Sequence, residues 1–288
     1  KMPRDENEDE VPRVTWTYRI VRWILGTVLA IFFQEIDVVG KECVPSSGPV
    51  IFVGNHPNQF VDGMMMFTQS PRDVFLLIAA SSITKYAVQG FFARLQHAIP
   101  VYRREDNLFT VKNKITLKFD DEWSATLDKE GPNFDGHKIK PGDILSIPLK
   151  KDIMQEEKKF DDVKVLVQTI LSSRFAKVTL APESRAITEE LLSLGEIESD
   201  SFKVLPKLDQ SKAYEAIFSV LSRGDCVGVF PEGGSSDWTE LRKLKVGVAY
   251  IALSLKKKYG DLPVTIVPCG LNYISGHRFR SKSLIEFG

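Results

Sequence analysis

Short apolar runs, each closed by glycine or proline, alternate with segments of helical character and constrain the fold more than any other feature. The first run, residues 50–53, contains only valine, isoleucine and phenylalanine and is interrupted by Gly54-Asn55. Further runs at residues 74–80 and 98–102 each follow a segment with helical character, and the second of these segments, residues 82–96, predicts one amphipathic helix. Because strands that alternate with helices pair side by side in parallel, this order predicts an α/β fold with a mostly parallel central sheet flanked by helices.

A histidine stands directly after the first run, at a point where α/β proteins commonly place their reactive groups. His56 precedes Pro57, which suits the first turn of a helix, and Asp62 follows six positions after His56. An imidazole accepts a proton near neutral pH, and a carboxylate fixes its tautomer and stabilises the imidazolium. A catalytic base with its orienting partner is one interpretation of this pair. A helix cap or an ordinary polar contact is the other.

A glycine-rich turn follows another predicted strand, residues 227–230, which Pro231 ends. The turn reads Glu232, Gly233, Gly234 and Ser235. Paired glycines let the backbone approach a ligand, and the carboxylate, hydroxyl and amide groups of the turn suit a substrate hydroxyl and a phosphate. The turn is not a P-loop, because no lysine follows at that spacing. It is not a Gly-x-Ser-x-Gly nucleophile elbow either, because Asp237 replaces the last glycine.

Paired arginines, Arg103 and Arg104, follow the run at residues 98–102. A planar guanidinium holds a phosphate through two hydrogen bonds. We expect both arginines at the carboxyl edge of the sheet, and this position favours phosphate binding. Arginines on a solvated strand end are the alternative.

Composition limits the classes of partner. Lys+Arg and Asp+Glu both number 38, and this zero net charge argues against bulk electrostatic binding to nucleic acid. The cysteines, Cys43, Cys226 and Cys269, are widely spaced, which argues against a disulfide scaffold or a zinc site and favours reduced thiols facing the cytosol. We therefore predict no metal and no other cofactor.

The amino-terminal region combines an acidic tail, residues 1–12, with a segment at residues 14–33 that carries aromatic residues and arginines beside an apolar run. The run, residues 23–33, is too short to span a bilayer upright, which takes about 20 residues. Acidic residues precede it, so it is not a secretory signal. Its flanks favour an interfacial or re-entrant membrane helix, and a helix packed on the domain's own core is the alternative.

Four stretches in order resemble the signature blocks of the glycerolipid acyltransferase superfamily: residues 55–62, 98–104, 230–237 and 264–273. The resemblance implies that His56 is the general base, with Asp62 as its partner, and that Arg103 contacts a glycerol phosphate. It also implies that the turn at residues 232–235 helps to bind the acceptor. Lys245 matches the position after the third block that adds positive charge near the phosphate, although a solvated basic face is the alternative there.

Smaller details resemble the fungal-type glycerol-3-phosphate/dihydroxyacetone-phosphate acyltransferases. They are residues 58–62, 207–211, 230–237 and 279–288, together with a long insertion at about residues 107–208. The resemblance implies an acyl-CoA-dependent enzyme of the endoplasmic reticulum membrane, with its active site facing the cytosol. On this basis residues 1–35 form the tail and membrane-associated helix, and residues 36–288 form the acyltransferase domain. Because the first residue is not Met and a strand pattern stops at Gly288, we expect the chain to be part of a longer protein.

The sequence departs from the superfamily pattern in three places. Ala98 or His97 stands where glycine is usual, and Ser236 stands where histidine is common. Five residues, instead of the usual four, separate His56 from Asp62. Either a bulged turn at Pro57-Asn58 restores their contact, or Asp62 is structural and another group orients the imidazole.

The expected reaction is acyl transfer from acyl-CoA to the sn-1 hydroxyl of glycerol-3-phosphate, of dihydroxyacetone phosphate, or of both, giving lysophosphatidate in glycerolipid synthesis. Membrane lipid is an expected partner. A 1-acylglycerol-3-phosphate (sn-2) acyltransferase is the nearest alternative, since the blocks specify acyl transfer better than they specify the acceptor. A non-catalytic lipid-binding or membrane-scaffold protein of the same fold is the other.

Overall fold

The computed structural model describes residues 12–119, 124–129, 139–149, 162–182, 184, 195–236, 240–260 and 262–288. The chain divides into two compact units, one formed by residues up to 101 together with residues from 210 onward, and the other by residues 102–209. The acidic tail predicted at residues 1–12 lies outside the described residues except for Pro12.

The strands in chain order are Glu35–Val39 (β1), Val50–Gly54 (β2), Val74–Ala79 (β3), Ile99–Val101 (β4), Phe109–Val111 (β5), Ile115–Phe119 (β6), Ser124–Lys129 (β7), Ile144–Pro148 (β8), Asp162–Ile170 (β9), Phe175–Leu180 (β10), Glu196–Ser199 (β11), Phe202–Leu205 (β12), Cys226–Val229 (β13), Thr265–Tyr273 (β14) and Lys282–Phe287 (β15). The α-helices are Trp16–Phe32 (α1), Gln59–Gln69 (α2), Ala80–Lys85 (α3), Ala87–Leu95 (α4), Ser211–Ser222 (α5) and Gly247–Tyr259 (α6). Short 3-10 helices cover Lys41–Cys43 and Arg104–Asn107.

The first unit is built on a seven-stranded sheet in the order β1-β15-β14-β2-β13-β3-β4. Each neighbouring pair is parallel except β14 with β15, which is antiparallel. The predicted α/β fold with a mostly parallel sheet flanked by helices is therefore confirmed. Residues 50–52 of β2 are fully buried, which explains why the strand is a continuous apolar run with no alternating pattern.

The strand order brings three carboxyl ends together. The neighbours β14, β2 and β13 run parallel, so the residues that follow Gly54, Val229 and Tyr273 meet at one edge of the sheet. Strand β14 continues past Pro268 to Tyr273. Proline lacks an N–H group, and Pro268 stands where pairing with β15 runs out, its carbonyl accepting a hydrogen bond from the amide of Gly288.

Helix α1 has two different faces. The inner face places Tyr18, Val21, Leu25 and Leu29 in the hydrophobic core, so the packed alternative is right for this side of the helix. The opposite face exposes large apolar side chains, with Trp16 84% and Trp23 72% exposed. In the part of the chain that the structure describes, no helix combines the length and apolar character needed to cross a bilayer.

The helix that the sequence predicted over residues 82–96 is two helices, α3 and α4, which meet at Tyr86. A Cβ added at Gly90 would lie 2.0 Å from the carbonyl oxygen of Ile83, so only glycine allows this close crossing. The break arises from packing between the two helices, which the helical periodicity of the sequence does not reveal.

The second unit contains an eight-stranded sheet in the order β11-β6-β7-β10-β9-β8-β12-β5, and its pairs are antiparallel. Val163, Val165 and Val167 of β9 are buried and alternate with more exposed residues, the pattern of a sheet with one packed face. The apolar segment at residues 163–171, whose sequence suits either a short helix or a strand, is therefore a strand as far as residue 170. These residues belong to a hydrophobic core within the second unit.

Candidate active site

His56 lies just beyond the carboxyl end of β2. The preceding residue, Asn55, fixes the chain to β14, since its side-chain amide donates to the carbonyl of Leu271 at 2.9 Å and its side-chain oxygen accepts from the Leu271 amide at 2.7 Å. Residues 57 and 58 then form a bend, and α2 begins at Gln59, two residues later than a helix with Pro57 in its first turn would begin. The bend accommodates the extra residue between the histidine and the aspartate.

The imidazole and the carboxylate are in direct contact. His56 Nδ1 lies 2.9 Å from Asp62 Oδ2, so the additional residue between them does not separate the pair. Since a carboxylate only accepts hydrogen bonds, Nδ1 carries the hydrogen and Nε2 is left as the acceptor nitrogen. The imidazole also stacks on the ring of Phe230, with 4.3 Å between ring centroids and 14° between planes. The ring is thus held on one face and at one nitrogen.

Asp62 is completely buried in the first turn of α2 and accepts two further hydrogen bonds. The amide of Asn58 donates to Oδ2 at 2.6 Å, and the hydroxyl of Tyr273 donates to Oδ1 at 2.6 Å. Both carboxylate oxygens are therefore fixed, which sets the direction in which the imidazole points. Burial first, and then the charge of Asp62, raises the pKa of Tyr273, so its hydroxyl keeps the proton that it donates.

Tyr273 is the site residue that the sequence did not single out. The one sequence feature that could have identified Tyr273 is its position at the end of a strand. That strand lies next to β2, and neighbouring parallel strands end at the same edge of the sheet.

Glu232 holds the glycine-rich turn to the histidine. Its Oε1 accepts from the backbone amide of His56 at 2.9 Å, and its Oε2 accepts from the amide of Arg242 at 3.3 Å. The turn is fastened a second time where the amide of Ser236 donates to the carbonyl of His56 at 3.1 Å. The carboxylate is buried and binds main-chain donors, so it positions the backbone. Its predicted contact with substrate stays a prediction.

The two glycines of the turn lie close to basic side chains. Gly233 has φ +71°, and a Cβ added there would lie 2.6 Å from Cε and 2.8 Å from Nζ of Lys245. A Cβ on Gly234 would lie 3.2 Å from a terminal nitrogen of Arg242. The amide of Lys245 donates to the carbonyl of Pro231 at 2.8 Å. Two basic side chains therefore lie directly beside the backbone of the turn, which continues into Ser235.

A cleft of about 510 Å³ opens at this edge of the sheet. Its polar lining includes His56, Glu232, Ser236 and Glu240. Its apolar lining includes Val53, Pro57, Pro231, Leu241, Leu244 and Pro268. The volume falls in the range of about 300–1,000 Å³ typical of small-molecule sites. One cleft is thus lined by the residue that carries the imidazole and by an apolar wall.

The structure brings most of the predicted site residues into one unit. His56, Asp62, Lys245 and the turn at residues 232–235 all belong to the first unit. Arg103 belongs to the second unit, where its guanidinium contacts Asp106 at 3.2 and 3.3 Å. The role of Arg103 as a phosphate ligand stays a prediction.

Comparison with known proteins identifies the class to which this fold and site belong. The family model described as acyltransferase matches residues 35–141 and 146–272, most of the chain. The chain therefore belongs to the acyltransferase family, and the resemblance seen in the sequence blocks is confirmed.

The most informative relatives are fungal. Glycerol-3-phosphate O-acyltransferase 1 of Saccharomyces cerevisiae is 35% identical over 279 residues, which is 94% of this chain and 34% of that protein. Glycerol-3-phosphate O-acyltransferase 2 of the same yeast is 30% identical over 294 aligned positions, and the alignment covers 95% of this chain and 38% of that protein. An uncharacterized acyltransferase of Schizosaccharomyces pombe is 33% identical over 280 residues, 95% of this chain and 39% of that protein. The chain thus spans little more than a third of the length of these relatives.

Proposed function

We propose that this chain transfers the acyl group of acyl-CoA to the sn-1 hydroxyl of glycerol-3-phosphate, of dihydroxyacetone phosphate, or of both. The observation that carries the proposal is the His56 imidazole, held by a buried carboxylate at the wall of a cleft beside a glycine-rich turn. The names of the two yeast relatives support the acceptor, because both are glycerol-3-phosphate O-acyltransferases.

In the proposed mechanism His56 Nε2 removes the proton of the acceptor hydroxyl as its oxygen attacks the thioester carbonyl. The C–O bond of the ester forms, the C–S bond breaks, and the imidazolium returns its proton to the departing thiolate of coenzyme A. Asp62 stabilises the imidazolium in between. The acceptor hydroxyl is itself the nucleophile, so no acyl-enzyme is required. A backbone donor aimed at the developing oxyanion contributes roughly 3 kcal/mol.

The phosphate of the acceptor is anionic, and the proposal assigns it to basic side chains. Lys245 lies over Gly233, so its ammonium group is the proposed phosphate ligand beside the backbone of the turn. Arg103 is the second proposed ligand, since a guanidinium binds phosphate through two hydrogen bonds. Ser235 and the amides of the turn supply neutral donors.

The apolar wall of the cleft is proposed to receive the acyl chain. Leu241 and Leu244 line the cleft and are also largely exposed, so they form an apolar rim at its mouth. Covering such a rim with an alkyl chain removes apolar surface from water and contributes about 25 cal/mol per Å².

We also propose that the protein works at the endoplasmic reticulum membrane with its active site facing the cytosol. The exposed stripe of α1, with Trp16, Ile20, Trp23 and Ile31, suits a helix that lies in the membrane interface. Fractionation of tagged protein, followed by protease treatment of sealed microsomes, tests this location. Release of the protein into the soluble fraction, or protection of the domain from protease, would contradict it.

Coenzyme A release from palmitoyl-CoA tests the reaction, with glycerol-3-phosphate, dihydroxyacetone phosphate and lysophosphatidate offered separately in detergent and in liposomes. Release with either of the first two acceptors is the expected result, and their ratio names the preferred acceptor. Release with lysophosphatidate alone would reassign the protein to the sn-2 enzymes. No release with any acceptor would favour the lipid-binding scaffold.

A further inference from the structure

The loop that connects β14 to β15, residues 274–281, exposes an unusual mixture of side chains. Two large apolar residues project from it, Ile274 at 74% and Phe279 at 65% exposure. His277, Arg278 and Arg280 are exposed between and beside them. Apolar side chains among cationic ones match the surface of an anionic bilayer. The apolar side chains enter the boundary of the acyl chains, and the cationic side chains are attracted to the lipid phosphates.

The loop continues the exposed stripe of α1. The ring of Phe279 packs edge-on against Phe32 at the end of the helix, with 6.1 Å between centroids. The amide of Arg280 donates to the carbonyl of Phe32 at 2.7 Å, and the amide of Gln34 donates to the carbonyl of Ser281 at 2.9 Å. The stripe from Trp16 to Ile31 is about 22 Å long at 1.5 Å per residue. The loop therefore extends one apolar surface beyond the end of the helix.

The same loop lies next to the residues that hold Asp62. It begins directly after Tyr273, whose hydroxyl donates to the carboxylate. A Cβ added at Gly276 would lie 3.2 Å from Cβ of Tyr273 and 3.8 Å from the side-chain nitrogen of Asn58. The backbone amide of Asn58 is the second donor to Asp62. Two of the donors that orient the carboxylate thus have the loop as a neighbour.

We propose that the loop at residues 274–281 binds the surface of an anionic lipid bilayer and that this binding holds Tyr273 and Asn58 in place against Asp62. Lipid binding by the loop stands independently of the reaction. The coupling to Asp62 rests on the proposed function, because it assigns Asp62 to catalysis. A bilayer is the occupant that fits, since the loop is basic and continues a stripe rich in tryptophan, a residue enriched at membrane interfaces.

Vesicle flotation tests the lipid contact, using phosphatidylcholine vesicles with and without phosphatidylserine. The variant Ile274→Ser/Phe279→Ser is compared with Leu171→Ser, a control in the turn between β9 and β10 with 61% exposure. The double variant is expected to bind anionic vesicles about tenfold more weakly or worse, since it loses two side chains that would enter the lipid. The control is expected to bind like the wild type. Equal binding by double variant and wild type would overturn the proposal.

A charge variant tests the attraction to anionic lipid without altering the apolar contacts. Arg278→Gln/Arg280→Asn removes both guanidinium groups, and asparagine suits the φ of +61° at position 280. Its preference for vesicles with phosphatidylserine is expected to fall severalfold at low salt. An unchanged preference, in protein whose thermal midpoint matches the wild type, would refute the electrostatic part.

The coupling is tested by the rate with a water-soluble short-chain acyl-CoA and glycerol-3-phosphate, with and without vesicles. Vesicles are expected to raise the wild-type rate. The Ile274→Ser/Phe279→Ser variant is expected to keep the rate measured without vesicles and to lose the increase. An equal increase in both proteins, or none in the wild type, would overturn the coupling. If no protein turns over, the proposed function fails, while flotation still decides the lipid contact.

Discussion

Replacing Asp62 with asparagine separates the charge of this residue from its hydrogen-bonding role. Oδ2 accepts two N–H donors, His56 Nδ1 and the amide of Asn58, whereas Oδ1 accepts the hydroxyl of Tyr273. A hydroxyl can turn round and accept, but a backbone N–H cannot. The carbonyl oxygen of the new amide therefore takes the place of Oδ2, and its NH₂ group takes the place of Oδ1 and donates to the tyrosine. The imidazole keeps its tautomer and loses only the negative charge beside it.

The expected loss of activity follows from this geometry. A hydrogen bond to a charged group contributes roughly 1.5–3 kcal/mol, against about 0.5–1.5 kcal/mol for a neutral one. Exchanging the charged hydrogen bond for a neutral one therefore costs the transition state about 1–1.5 kcal/mol, which corresponds to a fall in kcat/KM of about 5- to 13-fold at 1.36 kcal/mol per factor of ten. A reversed tautomer would cost far more, about 10,000-fold in the serine proteases. The intermediate loss is thus the signature of the proposed arrangement.

The assay is kcat/KM from coenzyme A release for wild type, Asp62→Asn and Asp62→Ala, with thermal unfolding of each. Asp62→Asn is expected to unfold close to the wild-type midpoint. Asp62→Ala leaves the Asn58 amide and the Tyr273 hydroxyl buried without their acceptor, at about 1–3 kcal/mol each, and is expected to unfold at a lower temperature. Near-normal activity of Asp62→Asn would refute the role of the charge. A loss near 10,000-fold would refute the predicted orientation of the amide.

Three further results are expected. In Glu232→Gln, the NH₂ group of the new side chain faces one of the two backbone N–H donors. The variant is therefore expected to have a lower thermal midpoint and a lower kcat. A higher KM for the acceptor at an unchanged midpoint would instead indicate that Glu232 binds substrate. Gly233→Ala adds a Cβ at φ +71° and displaces the end of the Lys245 side chain. We expect about 1 kcal/mol of destabilisation and a severalfold higher KM for the phosphate acceptor. An unchanged KM would argue against phosphate binding by Lys245 and the turn. Burial raises the pKa of Cys226 to about 11 and that of Cys269 to about 12. At pH 8 both are therefore thiols, so iodoacetamide followed by mass spectrometry should label only the exposed Cys43 until the protein unfolds, and labelling of Cys269 in native protein would contradict this burial.

The first unit could be predicted from the sequence because its signals are local. The strands β2, β3 and β13 are continuous apolar runs, and Gly54 and Pro231 mark two strand ends at which site residues begin. The sequence left the contact between His56 and Asp62 as one of two alternatives, and it could not decide between them because the contact depends on a bend of two residues before α2. The separation of α3 from α4 likewise depends on a close helix crossing at Gly90.

The parts that the sequence did not predict depend on distant contacts. The contacts of Glu232 have no local signal, because its Oε1 accepts from an amide 176 residues before it and its Oε2 from an amide 10 residues after it. Tyr273 meets Asp62 across 211 residues of sequence. The antiparallel sheet of the second unit joins strands as far apart as β5 and β12, whose pairing no local pattern specifies.

The central claim is that the imidazole of His56 performs general-base catalysis of acyl transfer. Coenzyme A release from palmitoyl-CoA in the presence of glycerol-3-phosphate, measured for wild type and His56→Ala at matched thermal stability, tests it most directly. General-base catalysis contributes about 100- to 10,000-fold, so the account predicts clear release by the wild type and a loss of at least about 100-fold in the variant. Equal release by the two proteins would contradict it.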